Sequence, residues 1–166
     1  MKITKITKIT LAVLALFVLA GCNKNKRASH SCAMNQSEET SMNQSEETSI
    51  MKDFEKQAGN AVWFAFNSSA LSEKAKEELQ RQACWLSRHP HVKATVEGHC
   101  DDRGTREYNL ALGERRAQKA AEFLRHKGIE HHRVSTISYG KDRLAMMGNT
   151  EEVHAYNRRA VTVVHH

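Results

Sequence analysis

An identical tandem octapeptide, MNQSEETS at residues 34–41 and again at 42–49, confines any globular fold to the rest of the chain. The surrounding stretch, residues 23–60, is almost wholly polar. Such a segment cannot bury enough apolar surface to offset the entropy of ordering it, so it reads as a disordered tether. A repeat of eight residues is also too short for a solenoid, whose units run to roughly 20–50 residues. The chain of 166 residues therefore has one domain, expected at residues 61–166.

Ahead of the tether, Lys2, Lys5 and Lys8 precede an apolar run from Ile9 to Ala20, which closes on small residues before Cys22. This is the order of an export signal, and the run is shorter than the roughly 20 residues a spanning helix needs. Leu19-Ala20-Gly21-Cys22 resembles the lipobox of bacterial lipoproteins. That resemblance implies a signal over residues 1–21, removed on export, and a mature first residue Cys22 carrying lipid on its sulfur and amino group, at the head of a lipidated linker over 22–60. Two or more acyl chains make a stable anchor. Removal of the three lysines lowers the formal charge from +6 (25 basic, 19 acidic) to 22 − 19 = +3, which leaves little support for nucleic-acid binding. Cys32, Cys84 and Cys100 remain, an odd number, so at least one thiol is free or pairs with another chain, and no particular disulfide is expected.

Within residues 61–166, helical and strand patterns alternate. Ala61–Phe66 is a continuous apolar run, read as a strand buried on both faces, with Trp63, Phe64 and Phe66 in the core. Ser72 is a favourable cap for a helix with Ala75, Leu79, Ala83 and Leu86 on one face, and Trp85 near its end, open to a partner. Val92–Glu97 alternates as a strand after the stop at Pro90. Thr105 caps a long helix running to about Lys127 and closed by Gly128. Val134–Tyr139 and Ala160–Val164 read as strands, with a short helix at Glu151–Tyr156. The order implies an α/β domain of two layers, a mixed sheet of about four strands with helices packed on it.

The stretch GHCDDRGTREYNLALGERRA (98–117) joins an acidic loop to that long helix. Asn109 and Arg116, seven residues apart, share a helix face. Asp101 lies just before the helix start, near its free N–H groups. Two readings are open on spacing alone. Asp101 and Asp102 cap a turn and Arg115 and Arg116 are solvated charges, or the groups converge on a small zwitterion, its ammonium on Asp101 and its carboxylate in the fork of Arg116.

EGHCDDRGTREYNLALGERRA, with the later ISYGK and the closing NRRAV, closely resembles the peptidoglycan-binding domain of the OmpA-like family, and within it the lipoprotein branch that works in Tol-Pal systems. Gly98, His99, Asp101, Gly104, Asn109, Leu112, Gly113, Arg116 and Ala117 fill the family pattern in register. The resemblance covers residues 61–166. It implies noncovalent binding of the diaminopimelate of a peptidoglycan stem peptide, whose side chain ends in a carbon bearing both ammonium and carboxylate. By motif match Asp101 takes the ammonium and Arg116 the carboxylate. Asn67, Asn109 and Arg158 fill further pocket positions, and Arg103 faces the ligand from the loop. Departures occur at Cys100, Ala65 and Leu144, where the family more often has alanine or threonine, aspartate, and proline.

The same resemblance implies an outer-membrane protein facing the periplasm, anchored through Cys22, with the periplasmic Tol propeller protein as partner and a part in envelope integrity and division. Asn23 after the lipidated cysteine agrees with outer-membrane sorting. No cofactor is implied, and the ten histidines include no H-E-x-x-H or C-x-x-C partner pattern, so no metal is expected. His99 is expected to organise its loop by hydrogen bonding. Two other classes stay in view: a wall hydrolase, for which no nucleophile–base pair is apparent, and a lipoprotein binding only proteins. Arg116→Ala or Asp101→Ala is expected to abolish wall binding and leave the fold unchanged.

Overall fold

The computed structural model describes residues 36–166, with side chains from Ser45 onward; the expected signal over 1–21, the expected lipidation site Cys22, and Cys32 lie outside the described residues. Among these residues the elements run α1 (Gln36–Ala58), β1 (Ala61–Trp63), α2 (Glu73–Arg88), β2 (Lys93–His99), α3 (Arg106–His126), a 3-10 turn (His131–Arg133), β3 (Val134–Gly140), α4 (Glu151–Asn157) and β4 (Arg159–His165).

The strands form one sheet in the order β1-β4-β2-β3. β2 and β3 are parallel, which their connection through α3 permits, and β4 runs antiparallel between β1 and β2. Alternation places Ala94 and Val96 of β2 and Ala160, Thr162 and Val164 of β4 in the interior, facing the helices. The expected two-layer mixed sheet is thus what the chain forms.

Caps act where the sequence places them. Ser72 Oγ accepts from Ala75 N at 3.2 Å and Thr105 Oγ1 from Tyr108 N at 3.2 Å. Ala75, Leu79, Ala83 and Leu86 are all buried. α3 lies unusually close to the sheet. A Cβ on Gly98 would stand 1.9 Å from the carbonyl oxygen of Gly113, so both positions need glycine, and this approach fixes the height of α3 above β2. Asn109 and Arg116 are thereby held at the end of the sheet where β2 stops.

Two expectations are corrected. The first strand is shorter and one-sided: Val62 and Phe64 are buried, but Trp63 and Phe66 are exposed, Phe66 at 61%. β1 is an edge strand paired only with β4, so its outward side chains meet no second layer. The ordered domain also begins ahead of Ala61. α1 runs through residues assigned to the tether, and Phe54 and Ala58 at its end are core residues, with Ile50 and Met51 packed against them.

Trp85 explains why the domain starts there. Its ring is fully buried, 5.0 Å from Phe54 edge to face, stacked on His89 at 3.7 Å, and its indole N–H donates to Asp53 Oδ2 at 3.0 Å. The partner that covers Trp85 is the chain's own α1. Phe54→Leu is therefore expected to cost about 1–2 kcal/mol in a denaturant titration. An unchanged midpoint would contradict the docking of α1.

Candidate functional site

β2 ends at His99 and the chain turns through Cys100–Thr105 into α3. This loop is held from several sides. The Asn109 amide donates to the carbonyls of Arg103 (2.7 Å) and Thr105 (2.9 Å). Lys141, the lysine of ISYGK, donates to the carbonyls of Gly104 (2.6 Å) and Asp102 (3.2 Å). Gly104 has φ +88°, a conformation that glycine adopts without strain. The loop is thus preorganised by side chains far apart in sequence.

Beside it lies a cavity of about 190 Å³, lined among others by Phe66, Asp101, Arg103, Asn109, Arg116 and Arg158. All six residues expected to form the site line it, since Asn67 is there too. Asn67 stands at φ +52° and its Oδ1 accepts from the Tyr108 hydroxyl. Tyr108 has no counterpart among the expected site residues, and Phe66, expected in the core, lines the cavity instead. Tyr108 precedes Asn109 and points outward on the helix, a position that helical spacing alone reads as solvated.

Asp101 is buried yet surrounded by guanidinium groups: Arg103 Nη2 at 2.5 Å and Arg158 Nη1 at 3.4 Å from Oδ2, and the Arg103 amide N–H at 3.3 Å from Oδ1. Burial alone would raise its pKa, but the hydrogen bonds and charge of Arg103, with the hydrogen bond from Arg158, outweigh it and hold the carboxyl below its usual value. It is an ion at neutral pH.

Arg116 is fully buried, and its role differs from a free fork. Nε donates to Ser68 O (2.9 Å), Nη1 to His99 O (2.8 Å) and Cys100 Sγ (3.4 Å), and Nη2 to Ala65 O (3.2 Å). Four of its five N–H groups are committed, leaving one Nη2 hydrogen and the charge to the cavity. Burial lowers its pKa, yet a guanidinium keeps its proton. Arg116 ties the loop after β1 to the end of β2 and lines the cavity with positive potential. These contacts give Arg116 a structural role that helical spacing does not show, so Arg116→Ala is expected to lower stability as well as binding.

Cys100 is buried, donating from Sγ to Asn109 O at 3.4 Å, and burial pushes its thiol pKa up. Cys84 is free and exposed. His99 is also buried, with Nδ1 3.2 Å from Arg143 O and Nε2 3.5 Å from Glu97 Oε2. Burial, then the charge of Arg159, lowers its pKa to about 4, so it is neutral and its Nδ1–H supports the loop after β3.

A pH dependence follows. Unfolded imidazole takes its proton near pH 6.5, folded His99 only near 4, so in between the unfolded chain binds more protons and stability falls as pH falls. His99→Asn, which can keep the donor to Arg143, is expected to reduce the loss of Tm between pH 7 and pH 4.5 by about 5–10 °C. Equal slopes in parent and variant would contradict the assignment.

Among the described residues no group of three or more His, Cys, Asp or Glu side chains is arranged to hold a metal ion. What the cavity offers is a buried anion beside a buried cation.

Comparison with known proteins matches this layout. The profile of the OmpA family fits residues 63–158. A peptidoglycan-associated lipoprotein of Brucella melitensis is 38% identical over 154 residues, which cover 91% of this chain and 89% of the relative. One from Agrobacterium fabrum is 47% identical over 113 residues, 68% of this chain and 64% of the relative. The crystal structure of the peptidoglycan-associated lipoprotein from Burkholderia pseudomallei is similar with a TM-score of 0.62 at 35% identity, over 63% of this chain and 89% of that one.

Proposed function

We propose, on the premise that the chain belongs to the OmpA family, that it is a lipoprotein that grips peptidoglycan noncovalently and so tethers a membrane to the cell wall. The observation that carries this reading is the cavity of about 190 Å³ into which a buried, ionised Asp101 and a buried Arg116 both open. Opposite charges held apart in a preorganised pocket favour a ligand bearing ammonium and carboxylate on one carbon. The side-chain end of diaminopimelate is such a group. In this reading Asp101 receives the ammonium, and the remaining N–H of Arg116 together with Arg103 receives the carboxylate. Arg158 fixes Asp101, while Asn109 and Asn67 shape the loop and the rim.

The chemistry favours binding over hydrolysis. Asp101 is an ion paired with arginines and so a poor proton donor, and the Cys100 thiol is held protonated by burial, which makes it a poor nucleophile. Anchoring through lipid on Cys22 to the outer membrane, with the domain in the periplasm, and association with the periplasmic Tol propeller protein during envelope constriction complete the proposal. Names of the relatives and the signal-like N-terminus support the anchor.

Co-sedimentation of the full chain with purified sacculi tests the reading. The chain is expected to pellet with diaminopimelate-type wall, to be released by a soluble diaminopimelate tripeptide, and to liberate no wall fragments. Failure to pellet, or sustained release of fragments, would overturn it.

A further inference from the structure

Asp101 already holds a cation of the chain's own. Arg103 Nη2 is 2.5 Å from Asp101 Oδ2, and Nη1 of the same guanidinium is 3.3 Å from Glu151 Oε2. Arg158 makes the complementary pair, Nη1 to Asp101 Oδ2 at 3.4 Å and Nη2 to Glu151 Oε1 at 2.8 Å. Two acids and two guanidinium groups therefore alternate in a closed ring that joins the loop after β2, the first turn of α4 and the residue before β4.

The two arginines differ in freedom. The Arg158 side chain is only 7% exposed and its Nε donates to Phe64 O at 3.1 Å. That of Arg103 is 39% exposed and lies 4.3 Å over the ring of Phe66, itself at the surface. Arg103 is thus the member a ligand can displace. Any ammonium that reaches Asp101 competes with it.

We infer that Glu151 is a specificity-determining positioning residue, which retains Arg103 at the mouth of the cavity when a ligand ammonium replaces it on Asp101. Retained there, Arg103 has lost one acceptor and needs an anion on the same ligand. An amine alone exchanges one cation for another and leaves an arginine N–H without a partner. A head group with both charges supplies the acceptor as well. Charge points the same way: Arg103, Arg116 and Arg158 outnumber Asp101 and Glu151 by one around the site, and a ligand carboxylate balances the excess. The ligand class favoured is a stem peptide whose third residue is diaminopimelate over one whose third residue is lysine. The inference rests on the wall-binding reading above.

Affinities of the full chain for two synthetic tripeptides, alanyl-glutamyl-diaminopimelate and its lysine counterpart, test it. The parent is expected to prefer the first by about tenfold or more, the effect of one hydrogen bond to a charged group. Glu151→Gln is expected to weaken the first about five- to tenfold and to leave the second within about twofold. Arg103→Gln is expected to lose the preference too, and to bind the lysine peptide more tightly than the parent because Asp101 is no longer self-occupied. Glu152→Gln removes a charge from the same helix turn, where Glu152 bonds to Thr150 and stands outside the ring, and is expected to match the parent.

An unchanged preference in Glu151→Gln, or an equal loss in Glu152→Gln, overturns the inference while a parent that binds the first peptide leaves the wall-binding reading standing. A parent that binds neither peptide overturns both.

Discussion

Asp101→Asn is expected to weaken binding of the full chain to diaminopimelate-type wall by about 100-fold or more, with the melting temperature within a few degrees of the parent. The size follows from removing one partner of a desolvated charge pair, which typically costs about 3 kcal/mol or more, and each 1.4 kcal/mol is about tenfold. The fold survives because asparagine keeps the shape of the side chain and an oxygen that accepts from Arg103. Arg158 retains its bonds to Phe64 O and Glu151. Asp102→Asn is the matched control. Asp102 is exposed and its carboxylate lies 3.1 Å from His154 Nδ1, so its loss is expected to change wall binding less than about threefold. Equal effects in the two variants would count against the assignment of the ammonium to Asp101.

Arg116→Ala is expected to act on the fold before it acts on the ligand. It would strip partners from the carbonyls of Ala65, Ser68 and His99 and leave a cavity the size of a side chain beneath the pocket. Breaking a buried network of this kind costs about 3–5 kcal/mol, a large share of the 5–15 kcal/mol that holds an ordinary domain together. A fall in Tm of about 10 °C or more is expected, and wall binding should fail with it. Arg116→Lys separates the two roles. Lysine keeps the charge at the cavity but cannot reach three divergent carbonyls, so it should retain more wall binding than alanine while still lowering Tm. A Tm unchanged in Arg116→Ala would contradict the structural role.

The helix face was legible in the sequence because its information is local. Asn109, Leu112, Gly113 and Arg116 recur with the period of an α-helix, and all four are buried on the face of α3 that meets the sheet. The caps at Ser72 and Thr105 were legible for the same reason. The partners of Arg116 were not, since they depend on the path of the loop at residues 64–69, which has no periodicity to read. Glu151 lies 48 residues beyond Arg103, and only the return of α4 to the end of β2 brings them together.

Phe66 was misplaced because an apolar residue just past a three-residue edge strand keeps the hydrophobicity of a core position without its cover. The start of the domain was obscured by averaging composition over residues 23–60. Ile50, Phe54 and Ala58 recur every four residues, a helical stripe that the polar repeat before it outweighed.

A crystal structure of the protein with alanyl-glutamyl-diaminopimelate tests the central claim most directly. The account predicts the side-chain ammonium of the peptide within hydrogen-bond distance of the Asp101 carboxylate, its carboxylate turned toward Arg116 and Arg103, and Arg103 moved off Asp101 but still paired with Glu151. A peptide bound elsewhere, with Arg103 still closed on Asp101, would contradict it.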